Sequence, residues 1–436
     1  MATMLNDDFS VGYKAQTAFG TPATQGAKSS WSWIKVTFPQ DSPADEQEEL
    51  QVSSGVTGAG DSVVPGRRSG TLTFSWDLTS QAEGFTSGSA PALTEITTLV
   101  AALFGNSAAG TYDASDILTS GSDGNTWATT SGTYAHGQAY GAEDSSGVIQ
   151  AINWIEKQTG TDLALFQSSR ATPAEDSDAI PFVNIYATDD QPASGYGYTL
   201  RVVGNDTAED MRYTNVFPLS LSLTMTAAKG ISATMVCQYY GRHLANDGGL
   251  YTTPQDLLVQ PMNGQNHARI MIASNQIASL DSGTAHATGI CGLDELSVSF
   301  EAEPEVTPCH ASTDGVSACQ LSNKIAKVTC FVPFDSQMLT GTVTETASAP
   351  DYNNLVTTIE SYYKAQTAIA FTAEVGNTAG RCMALRIPRA YIDQRPQVAT
   401  VGKRVGFRLS LRSAPYVSSD EGTTGAAGKA YTIAFA

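Results

Sequence analysis

The sequence contains no apolar run approaching the roughly 20 residues that a membrane-spanning helix requires, which argues against helical passage through a bilayer. Charge is sparse at 15% of residues, and helical runs of Leu, Glu and Lys are few. Bases are the scarcer sign: 24 Lys and Arg stand against 43 Asp and Glu, a formal net charge of -19. A surface of that sign repels polyphosphate, so tight DNA binding is not expected. The same excess also serves plain solubility. The imbalance is steeper early in the chain, with 11 bases and 26 acids in residues 1–245 against 13 and 17 in residues 246–436. The opening ten residues lack a basic stretch followed by an apolar run, so the expectation is a protein made and kept in a cytoplasm.

Motifs of chemistry are also missing. The cysteines, Cys237, Cys291, Cys309, Cys319, Cys330 and Cys382, include no C-x-x-C, so a zinc site is not expected. Cys237 and Cys330 fall in apolar runs and read as buried reduced thiols, while Cys309 and Cys319 are spaced to bridge their loop under oxidising conditions. The histidines, His136, His243, His267, His286 and His310, are not spaced as H-E-x-x-H. There is no G-x-S-x-G elbow, no P-loop, and no G-x-G-x-x-G between a strand and a helix. Asp113, Asp116, Asp123 and Asn125 do not complete a calcium loop with a terminal Glu. Carboxylates are plentiful, but they lie in loops without the apolar surroundings that raise one member of an acid pair. No catalytic residue, cofactor or metal is expected, and the chain is read as not an enzyme.

What is present is β pattern. The runs W-S-W-I-K-V-T-F (31–38) and T-L-T-F-S-W-D-L (71–78) alternate with period two, placing Ile34, Val36 and Phe38, and Leu72, Phe74, Trp76 and Leu78, on single faces. They are expected to pair as a hairpin across a long acidic connection. L-S-V-S-F (296–300) and A-K-V-T-C-F-V-P-F (326–334) repeat the plan, and each second strand is followed by related helical words, I-T-T-L-V at 96–100 and V-T-T-I-E at 356–360. Strand, long connection, strand, helix and further strands are thus read twice, an internal duplication.

The connection from Pro39 to Gly70 is acid first (Asp41, Asp45, Glu46, Glu48, Glu49, Asp61) and base last (Arg67, Arg68). The one from Glu301 to Ile325 has the same polarity, with Glu301, Glu303 and Glu305 early and Lys324 late. Connections of this length are usually functional, and acid opposite base on a neighbouring copy would favour one stacking direction. A solvated loop is the alternative. Residues 1–30 read either as an arm carrying Tyr13 and Phe19 that packs elsewhere or as a frayed end. A helix is expected over 91–104, with Leu93, Ile96, Leu99, Val100, Leu103 and Phe104 on one stripe, and a second with Leu355, Val356, Ile359, Tyr362 and Tyr363. Residues 107–180 have no counterpart and read as an inserted loop or small β subdomain. Strands resume at 182–186, 197–203, 216–225 and 231–240, and later at 369–375, 382–387 and 405–412. Arg404, Arg408 and Arg412 share the face opposite Val405, Phe407, Leu409 and Leu411, as a solvated row or a subunit-facing one. The expected division is a first β-sandwich or barrel domain over 1–243, a linker over 244–266, a second domain over 267–417, and a tail with a short strand over 418–436.

A duplicated mainly-β chain with one helix per copy and a long connection inside the first hairpin resembles the major tail tube proteins of long-tailed bacteriophages. The segment G-Y-K-A-Q-T-A-F-G-T-P-A (12–23) is also similar to the opening of many of them. The resemblance covers residues 1–105, 182–243 and 290–415. It implies two tandem tail-tube-type sandwich domains and homo-oligomeric rings whose sheets join edge to edge. Doubled members build a ring from three chains, a pseudo-hexamer. It further implies stacking of rings through the long connections and assembly in the host cytoplasm into a virion tail. Implied partners are the tape measure, tail terminator and tail-tip proteins, with DNA passing through an acid-lined lumen without specific binding, no membrane and no cofactor. The other reading is a different tail or virion β-protein, such as a tail-tip, decoration or glycan-binding subunit. For that, Trp31, Trp33, Tyr196 and Tyr198 are the nearest aromatic cluster.

Overall fold

The structure, a computed structural model, describes residues 9–23, 31–37, 39–44, 47–50, 62–65, 69–78, 105–109, 126–130, 132–134, 137–165, 178–187, 197–204, 209–226, 229–246, 268–274, 287–290, 295–309, 316–333, 338–339, 352–376, 382–414 and 430–435. It is mainly β. The early strands are β1 (Phe9–Ala15), β2 (Ser32–Val36), β3 (Gln40–Pro43), β4 (Gln47–Leu50), β5 (Ser62–Pro65), β6 (Gly70–Leu78) and β7 (Gly105–Ala109). A middle group follows: β8 (Thr126–Ala128), β9 (Ala139–Glu143), β10 (Ile149–Thr159), β11 (Asp162–Leu165), β12 (Asp178–Pro181) and β13 (Val183–Ala187). Then come β14 (Tyr198–Gly204), β15 (Glu209–Thr226), β16 (Lys229–Tyr239) and β17 (Gly241–Asn246). The late part has β18 (Ala268–Ser274), β19 (Ala287–Ile290), β20 (Glu295–Pro308), β21 (Val316–Pro333), β22 (Met338–Leu339), helix α1 (Tyr352–Ala365), β23 (Ile369–Val375), β24 (Met383–Ile392), β25 (Gln397–Val401), β26 (Arg404–Ser413) and β27 (Thr432–Phe435).

One order of pairing occurs in both parts of the chain. Early on, β2, β1, β14, β15 and β17 are neighbours in one layer, and β3, β6, β16 and β15 in another. Later, β19, β18, β23, β24 and β27 follow the first pattern, and β20, β21, β26 and β25 the second. Strand β15 then pairs with β20, Leu221 opposite Phe300 and Leu223 opposite Val298. That ladder fuses the second layers into a continuous sheet running β3, β6, β16, β15, β20, β21, β26, β25.

Period-two patterning explains which side of this sheet is the core. Leu72, Phe74 and Trp76 are buried while Thr71, Thr73 and Ser75 between them are half-buried. Leu221, Leu223, Val298, Phe300, Val328, Leu409 and Leu411 lie in the same core cluster, roofed by Val11 and Leu200 early and by Phe371, Leu385 and Ile433 late. Burying a side chain of this size contributes about 1.5–3 kcal/mol relative to leaving it in water.

Helix α1 confirms the helix expected late in the chain. Ile359 is buried in the core and Tyr362 and Tyr363 pack against it. Its end is capped by Gln366 at a φ of 49°, with the Thr367 amide donating to the Tyr362 carbonyl at 3.0 Å and the Gln366 amide to Tyr363 at 3.2 Å, the Schellman pattern. The helix expected over 91–104 lies outside the described residues.

Two expectations are corrected. The run at 31–38 does not pair along its length with 71–78. Strand β2 pairs with β1, and only after a change of layer does β3 reach β6; the Thr37 amide donating to the Ser75 carbonyl marks the crossing. The connection from 301 to 325 is not a loop, because β20 and β21 continue as a ladder out to Pro308 and Val316. Its alternating Ala302, Val316, Cys319 and Leu321 have an apolar surface to cover, so strand pairing extends beyond the sheet.

The segment expected as an insertion contains a sheet of its own, in the order β12, β9, β10, β11, β8. Trp127, Tyr140, Ile155 and Leu163 form its private core, while Trp154, Ile152 and Phe182 pack on Ala384 and Ala434 of the late part. Strand β27 lies between β24 and β13; Ile433 and Phe435 on it, and Tyr431 just before it, are buried.

Candidate functional site

The continuous sheet ends on β25 at one side and β3 at the other. Among the described residues β25 pairs only with β26, and β3 only with β6. An edge strand offers unsatisfied amides and carbonyls to another chain unless it is short, charged or covered. At the β25 edge, Val398 is 74% exposed and Val405 48% exposed, although both lie on the face that is core elsewhere. Val398 pairs with Phe407, four residues before Leu411, the partner of Val328. In the early part Leu223 holds the corresponding place, pairing with Ala233 four residues before Cys237, the partner of Leu72. Leu223 is 3% exposed because β20 and the late core cover it. The same position is thus sealed inside the chain and open at its end.

The β3 edge is held by polar contacts. The Tyr239 hydroxyl donates to Asp41 Oδ1 at 2.6 Å, Tyr213 donates to Oδ2 at 3.3 Å, and Arg242 Nε stands 3.1 Å from Oδ2. Burial, then the hydrogen bond to Asp41, pushes the Tyr239 hydroxyl well above its ordinary range; burial and the Asp41 charge do the same for Tyr213. Both stay protonated donors at any physiological pH. Gly70 sits under this cluster, where a Cβ would overlap the Tyr239 hydroxyl and press on Pro43. The clamp therefore fixes where β3 leaves the sheet.

On the polar face of the sheet, the early strands present Thr73, Ser75, Thr234, Ser222 and Thr224 between their core residues. The late strands present Ser297, Ser299, Glu301, Lys327, Thr329, Arg408 and Arg412. Glu301 is bridged to Lys327 at 2.6 Å rather than free for another molecule. Arg412 lies opposite Lys327 on β21 and Tyr391 on β24, and Arg408 opposite Phe331 and Gln397. Arg404 is half-buried at the start of β26.

Of the other residues singled out in the connections, Glu303 and Glu305 are exposed on the far half of the β20–β21 ladder, Ser322 donating to Glu305 at 2.9 Å; Lys324 is half-buried on β21. Glu48 and Glu49 fall on β4, which pairs with β5 as a separate two-stranded ladder. Asp45, Glu46, Arg67 and Arg68 lie outside the described residues.

The far half of the β20–β21 ladder folds over the early part of the same chain. Ala302, Val316, Cys319 and Leu321 bury Phe217 and Tyr240, with Phe19 and Val306 packed against them. Phe19 stacks on Phe217 at 6.1 Å, and the Asn215 amide donates to Gln16 Oε1 at 2.8 Å. The amino-terminal arm is thus anchored after β1 at Gln16, Phe19 and Ala23, whose amide donates to Thr199 Oγ1 at 2.8 Å, with exposed residues between. Sequence reasoning missed the Asp41 clamp and the open valines. The only signal for the latter was the short alternating run Q-V-A-T-V (397–401).

The Trp31 and Trp33 rings lie 6.4 Å apart, and Lys14 and Arg201 stand over Trp31 at 5.9 and 5.3 Å. Trp31 is buried and Gly12 leaves room for the Trp33 ring, so this cluster is packing rather than an open aromatic shelf. Burial pushes the Cys237, Cys319 and Cys330 thiols up to about 12, and Cys309 and Cys319 are thiols rather than a disulfide, as are Cys237 and Cys330. Among the described residues no group of three His, Cys, Asp or Glu stands together as a metal site, and no helix is long and apolar enough to cross a membrane. A scan against protein-family models finds no match, and no curated protein matches the chain.

Proposed function

We propose that the chain is the structural subunit of a hollow tube, of the kind built by the major tail tube proteins of long-tailed bacteriophages, and not an enzyme. In this reading it holds two tandem tail-tube-type domains, approximately 1–243 and 267–417, and a ring forms from three chains. The observation that carries it is the β15–β20 ladder, which joins one part of the chain to the other edge to edge. Repeating that junction between copies sets the open β25 edge of one beside β3 of the next. Such a contact is head-to-tail, and a head-to-tail contact closes when its rotation divides the circle. Closure then leaves neither border of the continuous sheet free and covers Val398.

The polar face of the sheet becomes the lumen wall. It is rich in Ser and Thr and mixed in charge, with Asp77 and Glu301 against Lys327, Arg408 and Arg412, rather than acid-lined throughout. Ser and Thr hydroxyls space these charges apart, and Glu301 already neutralises Lys327 at 2.6 Å, so passing duplex meets few cations to trade for its counterions, which suits passage without retention. The tips of the long connections supply contact between stacked rings, and the tape measure, terminator and tail-tip proteins meet the tube at its bore and ends. The protein then belongs to a virion tail assembled in host cytoplasm.

Negative-stain imaging and sedimentation of the purified chain test this. Rings or hollow tubes are expected, and Val398→Lys is expected to leave folded monomers. Monomers of the wild-type chain at every salt and protein concentration would reject the proposal.

A further inference from the structure

We infer that Val398 of one copy lies directly opposite Asp41 of the next, and that the contacts neutralising Asp41 are what let the β3 edge accept β25. This rests on the ring reading above. The register comes from inside the chain. At the internal junction Leu223 faces Val298, and Val398 holds the place of Leu223. Val298 pairs with Val328, the partner of Leu411. Asp41 pairs with Leu72, the partner of Cys237. Cys237 and Leu411 hold matching places, four residues after the partners of Leu223 and Val398. Asp41 therefore holds the place of Val298. Repeating the junction between copies sets Val398 opposite Asp41 and Ala399 opposite Gln40, as Thr224 faces Ser297.

An apolar pair inside the chain thus becomes a valine against a carboxylate between chains. An inward-pointing charge keeps an edge strand from pairing at random, but it resists burial unless it is paired and hydrogen-bonded. Asp41 already meets that condition. Its Oδ1 accepts from Tyr239 at 2.6 Å and its Oδ2 from Tyr213 at 3.3 Å, with Arg242 Nε 3.1 Å from Oδ2 supplying the opposite charge. Gln40, Ser42 and Pro43 around it are exposed, and the Arg242 side chain is 42% exposed, so the cluster sits where a neighbour covers it. Val398 closes over balanced charge. A lysine in its place brings a second cation beside Arg242, in line with the monomers expected of Val398→Lys.

Cysteine pairs test the register. Within one chain Gln40 and Ala399 lie on opposite borders of the sheet, so a bond between them joins two copies. Gln40→Cys with Ala399→Cys sets their Cα atoms about 4.5–5.5 Å apart across the junction, within reach of a disulfide. Gln40→Cys with Val401→Cys is two residues out of line, at about 7–8 Å. On mild oxidation of assembled particles the first pair is expected to link chain to chain on non-reducing gels and the second is not. Rings in which neither pair links, or the second links better, overturn the register while Val398→Lys still reports on the ring.

Arg242→Gln tests the neutralisation. It is expected to raise the concentration needed for rings about ten-fold, with little change in melting temperature, because a half-exposed ion pair adds little to the fold. Adding Asp41→Asn removes the uncompensated charge and should return that concentration to within about three-fold of wild type. Assembly of Arg242→Gln at the wild-type concentration, or no recovery in the double variant with its melting temperature intact, overturns this role of the clamp. If the wild-type chain forms no rings, the ring reading has failed and this inference with it.

Discussion

The β15–β20 junction and the β25 edge carry the same pairing pattern and differ in what lies beyond the last strand. At the junction, Leu223 and Val298 face each other at 3% and 2% exposure, and Phe300 is fully buried against Tyr431 at 4.8 Å between rings. At the edge, Val398 stands 74% exposed on the equivalent face. In the proposed ring, a core position left open on one copy of a repeated arrangement is the surface a neighbouring copy covers, since isolated edges are otherwise blunted. The opposite edge is treated differently: β3 is short, ends in Pro43, and is pinned from beneath by two tyrosines and Arg242. One border is apolar and open, the other polar and pre-set, which suits pairing of unlike edges.

The comparison can be broken first at the junction. Phe300→Ala should destabilise the chain by about 3–5 kcal/mol, read by denaturant melting, because the cavity opens between the two parts and no solvent can fill it favourably. A loss under about 1 kcal/mol would mean that the junction is not part of the shared core.

Alkaline titration comes next. The unfolded thiols ionise near their ordinary 9, whereas folded Cys237 and Cys330, on either side of the junction, are pushed up to about 12. Between those values the folded chain holds more protons, so stability is full below about 9 and falls as pH rises toward 12. Tyr213, Tyr239 and Tyr431, raised by burial, add to the fall above their ordinary 10. A melting temperature flat from pH 8 to 11 would contradict the burial of these groups.

Gly70→Ala is expected to cost about 1–3 kcal/mol, since its Cβ must displace the Tyr239 hydroxyl from Asp41. Its assembly should suffer more than its fold, because the β3 edge loses its set position. Smallest in stability is Val398→Lys, within about 0.5 kcal/mol for so exposed a side chain. Equal stability with assembly abolished is the result that separates edge from junction.

Much of this fold is legible in the chain itself. Leu72, Phe74 and Trp76 alternate with Thr and Ser because one side of an antiparallel sheet is wet, and that pattern survives without knowledge of the partner strand. The partner is what alternation does not specify: β2 pairs with β1 rather than with the later run it resembles, and nothing local distinguishes the two. The β20–β21 extension read as a loop because its glutamates mask the spacing of Ala302, Cys319 and Leu321. The Asp41 clamp joins residues 172 and 198 positions apart, beyond any local signal. Val398 could not be marked as open, since exposure belongs to the sheet's end and not to the residue.

The most direct measurement is a three-dimensional image of the assembled particle at a resolution that separates strands. Three chains per turn, six similar sectors and β25 of each chain laddered to β3 of the next are expected. A particle in which β25 still faces solvent, or in which the chains meet through other surfaces, would contradict the claim that the sheet's two unlike borders exist to join copies of this chain.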